Sequence, residues 1–179
     1  MNLDKFHKLK EKYNDFYQTF YSKGKGTVVD TAKGIWGPAG TQDVYEFFVK
    51  IKLGNYKSFL DLGSGDGKVV LIASLFGVEA TGIEYDKKLA DVGIKICDEL
   101  GLKAEFIVGD FFEHDWSKYD IIFINPDQGM HKGVEDKLLR EMKDDAKLFV
   151  YNNIFLPRFL KKGKTYWFNG IPVIRYRKI

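Results

Sequence analysis

The chain has 179 residues, of which 45% are hydrophobic and 16% aromatic, and this length predicts one domain with a complete core. Its 28 basic and 25 acidic residues give a formal net charge of +3, which does not favour a dedicated nucleic-acid binder. The single cysteine, Cys97, excludes an intramolecular disulfide framework, and no apolar run is long enough to span a bilayer. We therefore expect a soluble, cytoplasmic protein without a membrane partner.

An amphipathic helix is predicted for residues 3–21, where aromatic and apolar side chains recur at helical spacing between charged ones. Residues 33–40 follow as a loop rich in glycine and proline, and Thr41 is the expected N-cap of a second helix. The apolar stripe of the first helix predicts packing against a core. A lid, a partner surface or a flexible arm are the alternatives.

The rest of the chain alternates between strand-like and helix-like segments. Strands are predicted at residues 58–62, 80–84, 104–108, 119–124 and 146–151, and helices at 67–76, 86–100 and around Leu138. Asn169-Gly170 predicts a two-residue hairpin between two further strands, at residues 164–168 and 171–176. The pattern indicates an α/β fold with a doubly wound, mostly parallel sheet that a C-terminal antiparallel hairpin closes.

The first of these strands leads into a glycine loop, Asp61-Leu-Gly63-Ser-Gly65-Asp-Gly67, which opens a helix. Such a loop lets the backbone approach a ligand closely. Glu84 ends the next strand, where a carboxylate can accept both hydroxyls of a ribose. A dinucleotide fingerprint requires a third glycine where this chain has Lys68, so the loop indicates a cofactor other than NAD.

The spacing of Asp61 and the glycines resembles motif I of the class I S-adenosylmethionine-dependent methyltransferases, and Glu84-Tyr85 resembles their acidic second motif. Asp110-Phe111 is similar to the family segment whose Asp contacts the adenine amino group. Asn125 lies where the family places its fourth motif. The resemblance implies S-adenosylmethionine as the cofactor and a set of binding residues along one sheet edge: Thr41, Asp61, Gly63, Ser64, Gly65, Glu84, Tyr85, Asp110, Phe111 and Asn125.

The resemblance also implies a seven-stranded methyltransferase domain over residues 41–179, with residues 1–40 as an N-terminal helix and loop. In that family the Gly63-Ser64-Gly65 backbone packs against the methionine portion of the cofactor, and the Asp61 carboxylate lies close to its ammonium group. A sulfonium cation gains from nearby acidic groups.

The methyl acceptor depends on the fourth motif. An Asn-Pro-Pro-aromatic sequence would imply a planar nitrogen of adenine or glutamine, but here Asn125-Pro126 is followed by Asp127 and Gln128. Base-flipping enzymes need the missing aromatic residue, which argues against an adenine acceptor. Residues 61–146 more loosely resemble the compact archaeal and mitochondrial-type protein-lysine methyltransferases. This second resemblance implies transfer to a protein lysine.

Three residues are candidates for the catalytic side of the site: Asn125, Asp127 and Trp36. Asp127 would attract a cationic lysine and help with its proton, and an ordinary turn is the alternative. Trp36 would form an aromatic wall for the lysine, with packing as the alternative. A small-molecule or RNA methyltransferase, or a non-catalytic cofactor-binding partner protein, are the alternative functions.

No metal site is expected, because the three histidines and Cys97 lack metal-ligand spacing. Cys97 lies on the apolar face of a helix and is predicted to be a core residue. Basic residues cluster in the C-terminal fifth of the chain, as solvated surface or as a contact for RNA or an acidic protein: Arg158, Lys161, Lys162, Lys164, Arg175 and Arg177. The sequence does not indicate an oligomeric state.

Overall fold

The computed structural model of the chain describes residues 3–22, 29–31, 34–127 and 133–179. Its helices are α1 (Leu3–Ser22), α2 (Thr41–Lys50), α3 (Lys68–Ser74), α4 (Lys87–Glu99) and α5 (Val134–Glu141). Its strands are β1 (Val29–Thr31), β2 (Gly34–Trp36), β3 (Ser58–Leu62), β4 (Glu79–Glu84), β5 (Glu105–Val108), β6 (Ile121–Ile124), β7 (Lys147–Tyr151), β8 (Lys161–Phe168) and β9 (Ile171–Arg177). None of the described helices is long and apolar enough to cross a membrane.

The main sheet has seven strands in the order β5-β4-β3-β6-β7-β9-β8. The first five strands in this order run parallel, and β9 pairs antiparallel with both β7 and β8. The hairpin turns at Asn169 and Gly170, whose φ angles of 48° and 81° suit the right-handed twist of the paired strands. The predicted fold class, including the closing hairpin, is therefore confirmed.

Both faces of the sheet are covered, because successive strand residues point to opposite sides. Phe59 and Phe123 pack into a cluster with buried residues of α1, α2, α3 and α4. Leu60 and Ile122 pack into a second cluster with α5 and with Trp116. Cys97 is buried in the first cluster, as predicted.

The N-terminal helix packs through its apolar stripe, since Phe6, Leu9 and Tyr13 are all buried in the first cluster. The prediction of Thr41 as an N-cap is wrong by one residue. Gly40 is the N-cap, because its carbonyl oxygen accepts the first helical hydrogen bond, from Val44 N at 3.0 Å. The short ribbon of β1 and β2 was not predicted, and part of it lies in the expected glycine- and proline-rich loop.

Candidate functional site

The Asp61 carboxylate is a buried charge at the carboxyl edge of the sheet. The residue is 3% exposed, and among the described residues none donates a hydrogen bond to it. Burial raises the pKa of Asp61 well above its usual range, and the carboxylates of Glu84 and Asp66 raise it further. A buried acid in an acidic neighbourhood ionises readily only when a cation binds beside it.

The glycine loop that follows Asp61 leaves open space at Gly63. Gly63 N and Ser64 N both donate to Ile83 O, at 2.9 and 3.0 Å, which fixes the loop onto β4. Gly63 has a φ of +72°, and a Cβ added to it would meet nothing within 4 Å. The Ser64 Oγ atom is buried and has no hydrogen-bond partner among the residues that the structure describes. An open backbone surface next to an orphaned hydroxyl and an unpaired acid is suited to a polar, cationic ligand.

Glu84 supports the loop from the end of β4. Its Oε2 accepts from Gly65 N at 2.7 Å, and its Oε1 accepts from Asp86 N at 2.8 Å. Burial raises the pKa of Glu84, while these N–H groups lower it. Each carboxylate oxygen has a second lone pair, so Glu84 can hold the loop and still accept a ligand hydroxyl. The structural part of this role was not predicted.

Asp110 follows β5, the strand beside β4, and is half-buried. Its Oδ1 accepts from Phe112 N at 3.0 Å and so begins a short 3-10 turn. The rings of Phe111 and Phe112 lie 4.9 Å apart in that turn, and Phe112 is 40% exposed. Tyr85, next to Glu84, is 47% exposed. The carboxyl edge of the sheet is therefore lined by aromatic and acidic side chains at β5 and β4.

The topology brings these predicted cofactor residues into one row. Asp110, Glu84 and the glycine loop follow β5, β4 and β3, which are neighbours in the sheet, and Asn125 follows the next strand, β6. Neighbouring strands are about 4.8 Å apart, so the row extends over three such steps. It lies at the carboxyl ends of parallel strands, where open α/β sheets bind their ligands.

Trp36 covers the glycine loop from the side of the N-terminal helix. A Cβ on Gly65 would lie 2.6 Å from Trp36 Cδ1, so only glycine allows the indole so close. Phe20 packs against the indole edge-on, with ring centroids 5.5 Å apart, and Phe16 and Tyr17 lie nearby. Trp36 is 8% exposed, which leaves little of its surface for a substrate.

A buried polar cluster fixes α1 to the same loop. Tyr17 OH donates to Asp66 Oδ2 at 2.5 Å, and Lys68 Nζ donates to Tyr17 OH at 2.7 Å. Tyr13 OH donates to the backbone carbonyl of Asp66 at 2.8 Å. Asp66 and Lys68 are 3% and 2% exposed. Burial raises the pKa of Asp66 and lowers that of Lys68, and each opposes the shift of the other. Sequence reasoning missed this cluster, because its partners are far apart in the chain.

The turn after β6 is joined to the segment that carries Trp36. Asn125 Nδ2 donates to Gly37 O at 3.3 Å, and the Asp127 Oδ2 atom accepts a short hydrogen bond from Ile35 N. Two of the predicted catalytic residues, Asn125 and Asp127, therefore lie at the turn and brace the loop before α2.

Thr41, a predicted cofactor residue, is half-buried at the start of α2. Gln128 lies outside the described residues.

Asn152, after β7, holds the other side of this turn. Its Nδ2 donates to Asn125 Oδ1 at 3.1 Å and to Pro126 O at 2.9 Å. Its own backbone N donates to Pro172 O at 2.8 Å. Asn152 has a φ of +73°, a conformation that asparagine tolerates better than most residues. An asparagine directly after a predicted strand was the only sequence signal for it.

The described residues contain no group of three or more His, Cys, Asp or Glu that could hold a metal ion. His131, one of the three histidines, lies outside them. Of the acids near the glycine loop, Asp66 is stabilised by the buried Lys68, whereas the acids that act on Asp61 raise its pKa.

Comparisons with solved structures agree with this architecture. An RNA methyltransferase from Salinibacter ruber, solved in complex with S-adenosyl-L-homocysteine, superposes with a TM-score of 0.70 at 24% identity, over 78% of this chain and 92% of that chain. The mitomycin 7-O-methyltransferase MmcR superposes with a TM-score of 0.66 at 15% identity, over 78% of this chain and 54% of that chain. At these identities the likeness shows the fold alone.

Sequence comparisons are more specific. A human lysine N-methyltransferase, named for the C subunit of ATP synthase, is 32% identical over 115 residues, which are 63% of this chain and 49% of the human protein. The chain thus spans about half the length of this curated relative. The family model of the ANTKMT methyltransferase domain matches residues 61–156, more than half of the chain, including the glycine loop, Glu84, Asp110 and the turn after β6. The chain therefore belongs to the ANTKMT methyltransferase family, within the class I S-adenosylmethionine-dependent methyltransferases.

Proposed function

We propose that the chain binds S-adenosylmethionine along the carboxyl edge of β5, β4 and β3 and methylates a lysine side chain of a protein. The main support for S-adenosylmethionine as the cofactor is the Asp61 carboxylate. It is 3% exposed and has no hydrogen-bond donor among the described residues. An ammonium group beside it would supply the missing counter-charge. The residues present therefore fit the cofactor.

Each residue of the row has a distinct role in this proposal. Asp61 pairs with the ammonium group, and the backbone at Gly63 supports the methionine portion. Glu84 accepts the ribose hydroxyls on the lone pairs that Gly65 N and Asp86 N leave open. Asp110 and Phe111 hold the adenine end. When bound, S-adenosylmethionine supplies a methyl group already activated by its sulfonium charge.

The protein therefore contributes mainly alignment and the exclusion of water. Its turn at Asn125 and Asp127 lies directly after β6, and contacts from Ile35, Gly37 and Asn152 hold it on two sides. Asp127 is the acidic side chain of this turn, and among the described residues only its Oδ2 is hydrogen-bonded. We assign to Asp127 Oδ1 the attraction of the incoming ammonium and the acceptance of its proton.

Two observations support a lysine acceptor. The human relative at 32% identity is named as a lysine methyltransferase, although the chain spans about half of it. The sequence at Asn125 also has Asp127 in place of the second proline and Gln128 in place of the aromatic residue that would hold a flipped base. The low exposure of Trp36 leads us to assign it a packing role over the glycine loop, instead of a lysine-binding wall.

The proposal is tested by incubating the protein with methyl-labelled S-adenosylmethionine and separate pools of protein, RNA and small molecules. We expect label in protein, recovered as methyl-lysine after acid hydrolysis, and we expect Asp127→Asn to reduce it. Label that enters only RNA or a metabolite would overturn the lysine acceptor and leave the family unchanged. The absence of calorimetric binding of the cofactor would overturn the donor site.

A further inference from the structure

Between β7 and the start of β8 the chain forms a surface that the donor site and the acceptor turn do not use. We define the basic-apolar strip as residues 152–164. It contains four basic residues and no acidic one: Arg158, Lys161, Lys162 and Lys164. It also exposes three large apolar side chains, with Ile154 46%, Leu156 49% and Phe159 64% accessible. Apolar groups in such a short exposed stretch indicate a binding surface.

The strip is held in a fixed shape. Phe155 and Leu160 are buried in the core cluster that contains α5, which turns their neighbours outward. The Glu135 carboxylate accepts three successive backbone N–H groups, from residues 158, 159 and 160, at 2.9, 2.6 and 3.1 Å. Because these donors are satisfied and the anchors are buried, the backbone that presents the exposed side chains needs little further ordering on binding.

The strip begins at the acceptor turn. Asn152, its first residue, donates to Asn125 Oδ1 and Pro126 O, and its own Oδ1 accepts from Ile154 N at 2.8 Å. An extended partner segment that places a lysine at the turn would therefore continue onto Ile154 and Leu156. The sequence left open whether the basic cluster contacts RNA or an acidic protein, and the exposed apolar side chains favour the protein.

We infer that the basic-apolar strip is the docking surface for the methyl acceptor, and that it recognises a protein segment in which apolar side chains and carboxylates accompany the target lysine. This inference rests on the proposed function. The apolar side chains of the segment would cover Leu156 and Phe159, and its carboxylates would face Arg158 and Lys162, since Lys162 pairs with Tyr176 on the sheet face that also buries Phe155 and Leu160. Charge complementarity of this kind sets specificity and association rate more than affinity.

The test uses three fluorescent peptides of equal length that share one lysine and the same apolar residues, with acidic, neutral or basic flanks. Binding to the full chain is measured by fluorescence anisotropy in the presence of S-adenosyl-L-homocysteine. We expect the acidic peptide to bind about tenfold or more tightly than the basic one. The double variant Leu156→Ser/Phe159→Ser should weaken all three peptides by about tenfold. The double variant Arg158→Glu/Lys162→Glu should reverse the order of the acidic and basic peptides.

The matched control is Val49→Ser, which removes a side chain of similar exposure, 44%, from α2. It should leave peptide binding unchanged. Equal affinity for the three peptides, or strip variants that bind like the parent, would overturn the inference. So would tighter binding of an RNA oligonucleotide or of phosphatidylserine vesicles that the same strip variants abolish. If the acidic peptide binds through the strip and neither its lysine nor any protein of the pool takes label from the cofactor, the proposed function fails while the strip remains a peptide-binding surface.

Discussion

Replacing Asp61 by asparagine should stabilise the protein without cofactor and weaken its binding of S-adenosylmethionine. The carboxylate is buried and lacks donors among the described residues, and burial raises its pKa in the folded chain. The folded protein therefore keeps the Asp61 proton to a higher pH than the unfolded chain does. Stability is lost as the pH rises from the ordinary carboxyl value of about 3.9 through the raised value.

Each unit by which the folded-state pKa exceeds the unfolded one costs the ionised protein about 1.4 kcal/mol. In a chain of this length, 1 kcal/mol changes the melting temperature by about 2–4 °C. Asparagine does not titrate, so the melting temperature of the Asp61→Asn variant minus that of the parent should increase as the pH rises above about 4. Calorimetric scans of both proteins without cofactor measure this difference.

The same variant should bind S-adenosylmethionine about 10- to 100-fold more weakly, because a charge-assisted contact is worth about 1.5–3 kcal/mol. Asp66→Asn is the matched control, since Asp66 is equally buried but accepts from Tyr17 and Lys68. It leaves Lys68 without its counter-charge and should destabilise the protein by about 3–5 kcal/mol. A pH-independent melting difference for Asp61→Asn, or unchanged cofactor affinity, would refute the reasoning.

Glu84→Gln should weaken cofactor binding and lower the melting temperature, because the amide nitrogen cannot accept either backbone N–H group. Glu84→Ala, which loses both acceptors, should lower it further, and a melting temperature equal to that of the parent would show that Glu84 does not hold the loop. Tyr17→Phe should destabilise the protein by about 1–3 kcal/mol and weaken cofactor binding, whereas Tyr21→Phe serves as a control with little effect in denaturant titrations. Asn152→Asp keeps the acceptor for Ile154 N but loses both donated bonds, so kcat should fall more than cofactor affinity. A loss confined to affinity would place Asn152 with the donor site.

The regular part of the fold could be predicted because its signals are local. Alternating apolar runs placed most strand and helix boundaries within about two residues, which is the usual uncertainty of element ends. Asn169-Gly170 fixed the hairpin, since both residues tolerate positive φ. The three-residue strands β1 and β2 were missed, because so short a ribbon has no detectable period.

The cofactor-binding residues could also be predicted from the sequence, because each group of them directly follows a predicted strand. What the sequence did not indicate were the contacts between distant segments. Asp66 and Lys68 look like ordinary loop and helix residues, and their burial depends on Tyr17, which is 49 residues before Asp66. Glu84 was expected to face only the ligand, and its contact with Gly65 depends on loop geometry that no local pattern encodes.

During biosynthesis α1 is made before the segments against which it packs. Phe6, Leu9 and Tyr13 find their partners in a cluster whose other members extend to Val173. Most of the stability of an amphipathic helix such as α1 comes from the packing of its apolar face and not from its own propensity. While the chain is being made, its first helix therefore exposes an aromatic stripe until most of the sheet has emerged. This interval is when the nascent chain is most exposed to aggregation and to proteases.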